Sequence, residues 1–159
     1  MDGKEFKRLM MKIKLIYGNH CTLTADDMNN WFMVFKDFNA YRLEKAFDEY
    51  SKSNPYMPVP ADLIVLYNKI SADRNAKIKE WQDEFLSIVN LYPAEYVDEN
   101  AFATFKKVAV TTAEDIDGSI RKSRIIKKQV ENYVNECDRK KRDFKTLSSV
   151  LFECERETL

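Results

Sequence analysis

Glycine occupies only three of the 159 positions, Gly3, Gly18 and Gly118, and no two are near one another. Sandwiches and barrels reverse direction every eight to twelve residues or so, through turns that call on glycine for positive φ. A chain this poor in glycine, with only four prolines and long charged stretches between its breaks, predicts an all-α fold. The expected architecture is one or more small helical bundles with seven or eight helices. Hydrophobic residues at 45%, with aromatics at 13% of the chain, supply enough apolar surface to hold such bundles together.

The same scarcity removes whole classes of chemistry. Neither GxxxxGK[ST] nor GxGxxG can be written with three isolated glycines, so no phosphate-cradling loop is present. His20 is the only histidine, which excludes two-histidine zinc sites. Cys21, Cys137 and Cys154 form no CxxC pair and read as reduced thiols. No catalytic, cofactor-binding or metal residue is assigned, no cofactor is expected, and the chain reads as a non-enzyme. No apolar run approaches the roughly 18 residues of a membrane span, and MDGKEFKRLMMK lacks a signal-peptide core. A soluble cytoplasmic protein with no membrane partner is the expectation.

Apolar spacing places the helices. Phe6, Leu9, Met10, Ile13 and Ile16 form one stripe over 4–17, ended by Gly18-Asn19. Thr24 reads as an N-cap, with Asp26 and Asp27 in the first turn of a helix that carries Met28, Trp31, Phe32 and Phe35. After a break at 37–39, residues 40–52 form a third helix on Leu43, Ala46, Phe47 and Tyr50. SNPYMPVPAD holds three of the four prolines and reads as a stiff extended connector, with Pro60 in the first turn of the next helix. That helix carries Leu63, Ile64, Leu66, Tyr67 and Ile70. It either continues to Trp81, Phe85, Ile88 and Val89 or breaks near 72–75. Residues 71–80 have almost no apolar anchor, so two regions, 1–72 and 73–159, are the expected domains, with a long helix as the alternative link. Beyond Tyr92-Pro93, Asp98 is expected to cap a helix over 98–109 with Ala101, Phe102 and Phe105 inward. Thr112 to Asp115 is expected to open a long helix reaching about Cys137, and Thr146 to cap a last one bearing Leu147, Val150, Leu151 and Cys154.

Charge is balanced overall, 26 basic against 26 acidic groups, so the chain lacks the surplus of a protein living mainly on phosphates. Two local clusters stand out. Arg121, Lys122, Arg124, Lys127 and Lys128 crowd eight residues, and Arg139, Lys140, Lys141 and Arg142 follow. They are candidates for contact with nucleic acid or an acidic partner; a solvated helix face is the plain alternative. Asp26, Asp27 and Asp37 are explained by helix ends rather than by a metal. The aromatic run from Trp31 to Tyr50 is mostly core, with one or two rings left for a partner. Trp31, Tyr56 and Met57 are the partner-binding candidates.

The run IYGNHCTLTADDMNNWFMVFKDFNAYRLEKAFDEYSKSNPYMPVPADLI resembles the bacteriophage helicase loader/inhibitor family. The features that carry the resemblance are Tyr17, Thr24, Trp31, Ala46, Tyr50 and the segment Pro58 to Leu63. It implies a phage protein acting inside its bacterial host, without enzymatic activity. Such a protein binds a hexameric replicative DNA helicase, restrains it and delivers it to an initiator complex. LYPAEYVDENAFATFKK and FKTLSSVLFE are loosely similar to a C-terminal module of phage replication initiators. There, Ala94 and Glu95 stand where basic residues usually follow "YP", and Lys145-Thr146-Leu147 replaces an apolar turn. The alternatives are an inhibitor of another host protein, in replication or defence, and a DNA-binding replication organiser using the basic clusters. The oligomeric state is left open.

Overall fold

The computed structural model describes residues 1–110 and 115–157, with side chains as far as Cys154. Among them are seven α-helices, two short 3-10 turns and no strand. The described residues divide into two compact units, Met1–Asp73 and Arg74–Leu159. The expected cap signature at Thr112, Ala113 and Glu114 lies outside the described residues.

In the first unit, α1 (Gly3–Tyr17) opens on a capping box in which Asp2 accepts the N–H groups of Lys4 and Glu5, while Glu5 accepts that of Asp2. It ends at Gly18, whose φ of 53° suits a residue without a side chain, followed by a 3-10 turn, Gly18–His20. Helix α2 (Ala25–Phe35) starts at Thr24 as expected, and Asp27 completes its capping box. The hydrogen bond from the Thr24 side chain, then that from its backbone, hold the Asp27 carboxyl below its ordinary pKa. Asn39 caps α3 (Ala40–Ser53) by accepting the Arg42 N–H. Residues 54–59 form no helix, and Pro60 opens α4 (Pro60–Leu91) with Asp62 returning to accept the Val59 N–H at 3.0 Å.

These helices enclose Leu9, Ile13, Phe35, Leu43, Phe47 and Leu63, each fully buried. Rings meet tilted or edge-on, as at Phe35–Phe38 (5.4 Å) and Phe38–Tyr67 (4.6 Å), the geometry that aromatic quadrupoles favour. Arg8–Glu44 at 2.6 Å and the Lys12–Asp48 pair join the edges of α1 and α3. Two positions depart from the expected stripes. Ile16 is exposed while Tyr17 is buried, its hydroxyl donating to the Asn54 carbonyl at 3.1 Å, and Met28 is also exposed.

Helix α4 is unbroken through 71–80, which resolves the alternative the sequence leaves open in favour of one helix. The boundary between the units falls within it. Residues of this stretch lack apolar anchors, but they are also free of Gly and Pro, so the helix has no reason to stop.

The second unit contains the rest of α4, a 3-10 turn at Ala94–Tyr96, α5 (Ala101–Ala109), α6 (Ile116–Lys140) and α7 (Leu147–Glu157). Its core is built around Trp81 stacked on Phe105 at 5.1 Å, with Ile88, Val108, Ile126, Leu147 and Leu151 fully buried. Ser119 and Ser123 are buried on the inner face of α6 and donate back to the carbonyls of Asp115 and Ser119. Asp98 does not cap α5. That helix starts at Ala101 after Asn100, which makes no side-chain cap. The Asp98 carboxylate instead accepts the Asn100 N–H and, from the far end of the unit, the Ser148 N–H at the start of α7. Phe102, expected inward, is 37% exposed and lies beneath the Lys106 ammonium.

Candidate partner-binding surfaces

The connector between α3 and α4 presents its candidates unequally. Tyr56 is 79% exposed, whereas Met57 turns back onto the core of the first unit. Pro55, Pro58 and Pro60 restrict the backbone on either side, so the Tyr56 ring is held out on a segment with little freedom to collapse. Trp31 requires correction as a partner contact. It is 6% exposed, packed edge-on against Phe35 at 6.0 Å, and belongs to the core. Its position on α2, four residues before Phe35, places both rings on the buried face.

The basic clusters are sorted by what faces them. Arg124 reaches Glu80 at 2.7 Å and Glu84 at 2.9 Å, and Lys127 lies 3.9 Å from Glu84, so these two cations are turned toward α4. The hydrogen bond to Glu84 leads the interactions that hold the Arg124 guanidinium charged. Lys140 pairs with Glu136 one turn earlier on the same helix. Lys122 is half-buried. Arg121, Lys128 and Arg139 are exposed and make no ion pair among the described residues. At 100° per residue these three fall on one solvent-facing line of α6, with Ile125, 51% exposed, between the first two.

Lys141 and Arg142 serve the helix end. Lys141 takes a left-handed conformation (φ 50°), and the Arg142 N–H bonds the Cys137 carbonyl at 3.1 Å while the Lys141 N–H bonds that of Asp138, a Schellman closure. Beside it, Tyr133, Glu136, Cys137, Arg142, Asp143 and Lys145 line an open cleft of about 190 Å³. Its two acids balance its two cations, so it offers no net attraction for an anion. Tyr92 is tied in close by: its hydroxyl donates to the Lys145 carbonyl at 2.7 Å, and burial pushes it well above its ordinary pKa. Such a hydroxyl stays protonated and acts as a structural donor.

Among the described residues, no three His, Cys, Asp or Glu side chains are placed to hold a metal, and no helix is long and apolar enough to cross a membrane. The surfaces of this protein are suited to contact rather than to chemistry. Residues 1–64 match the family model for the N-terminal domain of the phage gene 39 product. The first unit carries this domain. It defines the phage helicase loader/inhibitor family, and the chain is accordingly a phage helicase-associated protein. The match covers α1 to α3, the proline-rich connector and the first turn of α4, the stretch in which the resemblance was read. Neither curated proteins nor solved structures give a significant match to the chain.

The loader/inhibitor domain also bears exposed apolar residues that the stripes on the sequence passed over. Met11 is 63% exposed and Leu15 85%, one turn apart on α1. The signal was present, two apolar residues at i and i+4 off the main stripe, and their significance depends on the face they share with the lysines of α1.

Proposed function

We propose that this protein is a non-enzymatic phage replication adaptor that binds a hexameric replicative helicase, restrains its ATPase and delivers it to an initiator complex. The observation that carries the reading is the match of residues 1–64 to the loader/inhibitor N-terminal domain. The lack of any phosphate-cradling glycine motif in the sequence agrees with an adaptor that does not itself hydrolyse nucleotide. The exposed Tyr56 on its proline-stiffened connector is a suitable anchor for a protein partner, since a pre-ordered aromatic loses little entropy on docking.

The test is analytical size exclusion of the purified full chain with the replicative helicase of its host, followed by an ATPase assay on the mixture. Co-elution with the hexamer and a reduced helicase ATPase rate support the adaptor. Absence of a complex overturns it, and capture of a different host assembly turns the reading toward an inhibitor of that assembly. A complex with the helicase that the initiator cannot dissolve favours inhibition over delivery.

A second reading is favoured by one specific observation, the line of Arg121, Lys128 and Arg139 on α6. Three outward cations without a salt bridge among the described residues suit a weak, sequence-independent contact with nucleic-acid phosphates. It would hold replication DNA near the helicase without supplying the main affinity.

A further inference from the structure

The outward face of α1 has a composition unlike that of a solvated helix. Lys4, Lys7, Met11, Lys14 and Leu15 fall within an arc of roughly 100° at 100° per residue, opposite the buried Leu9 and Ile13. All five are exposed. Lys4, Lys7 and Lys14 make no ion pair among the described residues, while Arg8 and Lys12, at the edge of the arc, are turned to Glu44 and Asp48 of α3. No acidic side chain of α1 shares the arc. Asp2 and Glu5 lie at the helix start, occupied in its capping box.

Leu15 is the most exposed large hydrophobic residue among those described. An apolar pair with a rim of unmatched positive charge fits a surface of the opposite kind, an apolar pocket or groove rimmed by carboxylates. We infer that this face of α1 docks onto an acidic, apolar-centred surface of the partner protein. The inference rests on the helicase reading above, and the surface is then one on the helicase.

Other occupants fit less well. A phosphate backbone has no use for the central Met11 and Leu15. A lipid surface would gain only two inserted side chains, because most of the other apolar surface of α1 is already buried in the core. A second copy of this face would set lysine against lysine.

The experiment uses the full chain and the purified host replicative helicase, with binding followed by fluorescence anisotropy of the labelled adaptor at two salt concentrations. Met11→Glu combined with Leu15→Glu replaces two exposed residues, so circular dichroism and thermal unfolding should match the wild type. We expect helicase affinity to fall at least tenfold in this variant. In Lys4→Glu/Lys7→Glu/Lys14→Glu, affinity should fall and most of its salt dependence should vanish. Val65→Glu, at a 68% exposed site on α4, is the control and should bind as the wild type does. Unchanged affinity in the α1 variants overturns the inference and leaves the helicase reading standing. Failure of the wild-type chain to bind helicase overturns both. A wild-type dimer in sedimentation that the Met11/Leu15 variant dissociates would make a second copy the occupant, and overturn the inference in that way.

Discussion

The Asp98 carboxylate accepts the backbone N–H of Ser148 at 3.0 Å, across 50 residues of sequence. Helix α7 is therefore capped by the loop before α5, while Thr146, adjacent in the chain, pairs its hydroxyl with the Ser149 side chain at 2.8 Å. The first-turn donors of a helix need an acceptor, and here tertiary structure supplies it.

Asp98→Ala should destabilise the protein by about 1 kcal/mol in urea unfolding. Partial burial raises the Asp98 pKa, but the hydrogen bonds from Ser148 and Asn100 outweigh it and leave the carboxyl below its ordinary value. A carboxyl more acidic in the folded chain contributes stability above its unfolded pKa of about 3.9 and loses it as pH falls through the folded value. The difference between wild type and Asp98→Ala should thus be full near neutrality and shrink on acidification below about pH 4. A difference independent of pH would mean that the charge of the cap is not used.

Lys141→Gly should stabilise the chain by about 0.5 kcal/mol. Removing the Cβ relieves the left-handed φ of 50°, and the extra freedom of glycine in the unfolded chain takes back part of the gain. A rise in the urea midpoint with unchanged slope is the expected reading; a fall would mean that the lysine side chain contributes more than its backbone costs.

Trp31→Ala and Tyr56→Ala should separate stability from binding. Trp31 is core, and its truncation should cost about 3 kcal/mol in unfolding experiments. Tyr56 is exposed, and its truncation should change stability by less than about 0.5 kcal/mol while lowering partner affinity. Equal stability losses in the two variants would contradict the burial pattern.

Reversal of Arg121, Lys128 and Arg139 to Glu should abolish whatever binding the chain shows to a fluorescein-labelled duplex. The wild-type log K should fall with log salt at a slope of about −2.7, the value for three phosphate contacts at roughly 0.9 each. Arg124→Ala, which frees Glu80 and Glu84, should alter duplex binding far less than reversal of those three cations and cost stability by under about 1 kcal/mol, since the guanidinium is exposed.

We propose further that the two compact units, Met1–Asp73 and Arg74–Leu159, are the chain's two domains. Arg74, Lys77 and Lys79 lie in the unbroken helix α4 and should resist trypsin under native conditions. Early cleavage there, leaving two stable fragments, would mean that the helix opens locally between domains that fold on their own.

Local features of this protein were legible in its sequence because they depend on neighbours a few residues away. Scarce glycine and three- to four-residue apolar spacing sufficed for an all-α chain. Thr24 with Asp27, the stop at Gly18 and Pro60 in a first turn were readable because caps and φ limits act within one turn. Family membership of the first region was legible in the order of Tyr17, Thr24, Trp31, Ala46 and Tyr50. Tertiary structure alone decided which apolar residue at an ambiguous position went inward, Tyr17 rather than Ile16, and that Trp31 is enclosed while Tyr56 is not. It also divided the basic residues: Arg124 is engaged because Glu80, 44 positions earlier, is brought beside it, and Arg121 and Lys128 are left outward. Charges and caps that meet across tens of residues leave no periodic trace, because their pairing depends on where whole helices pack and not on spacing along any one of them.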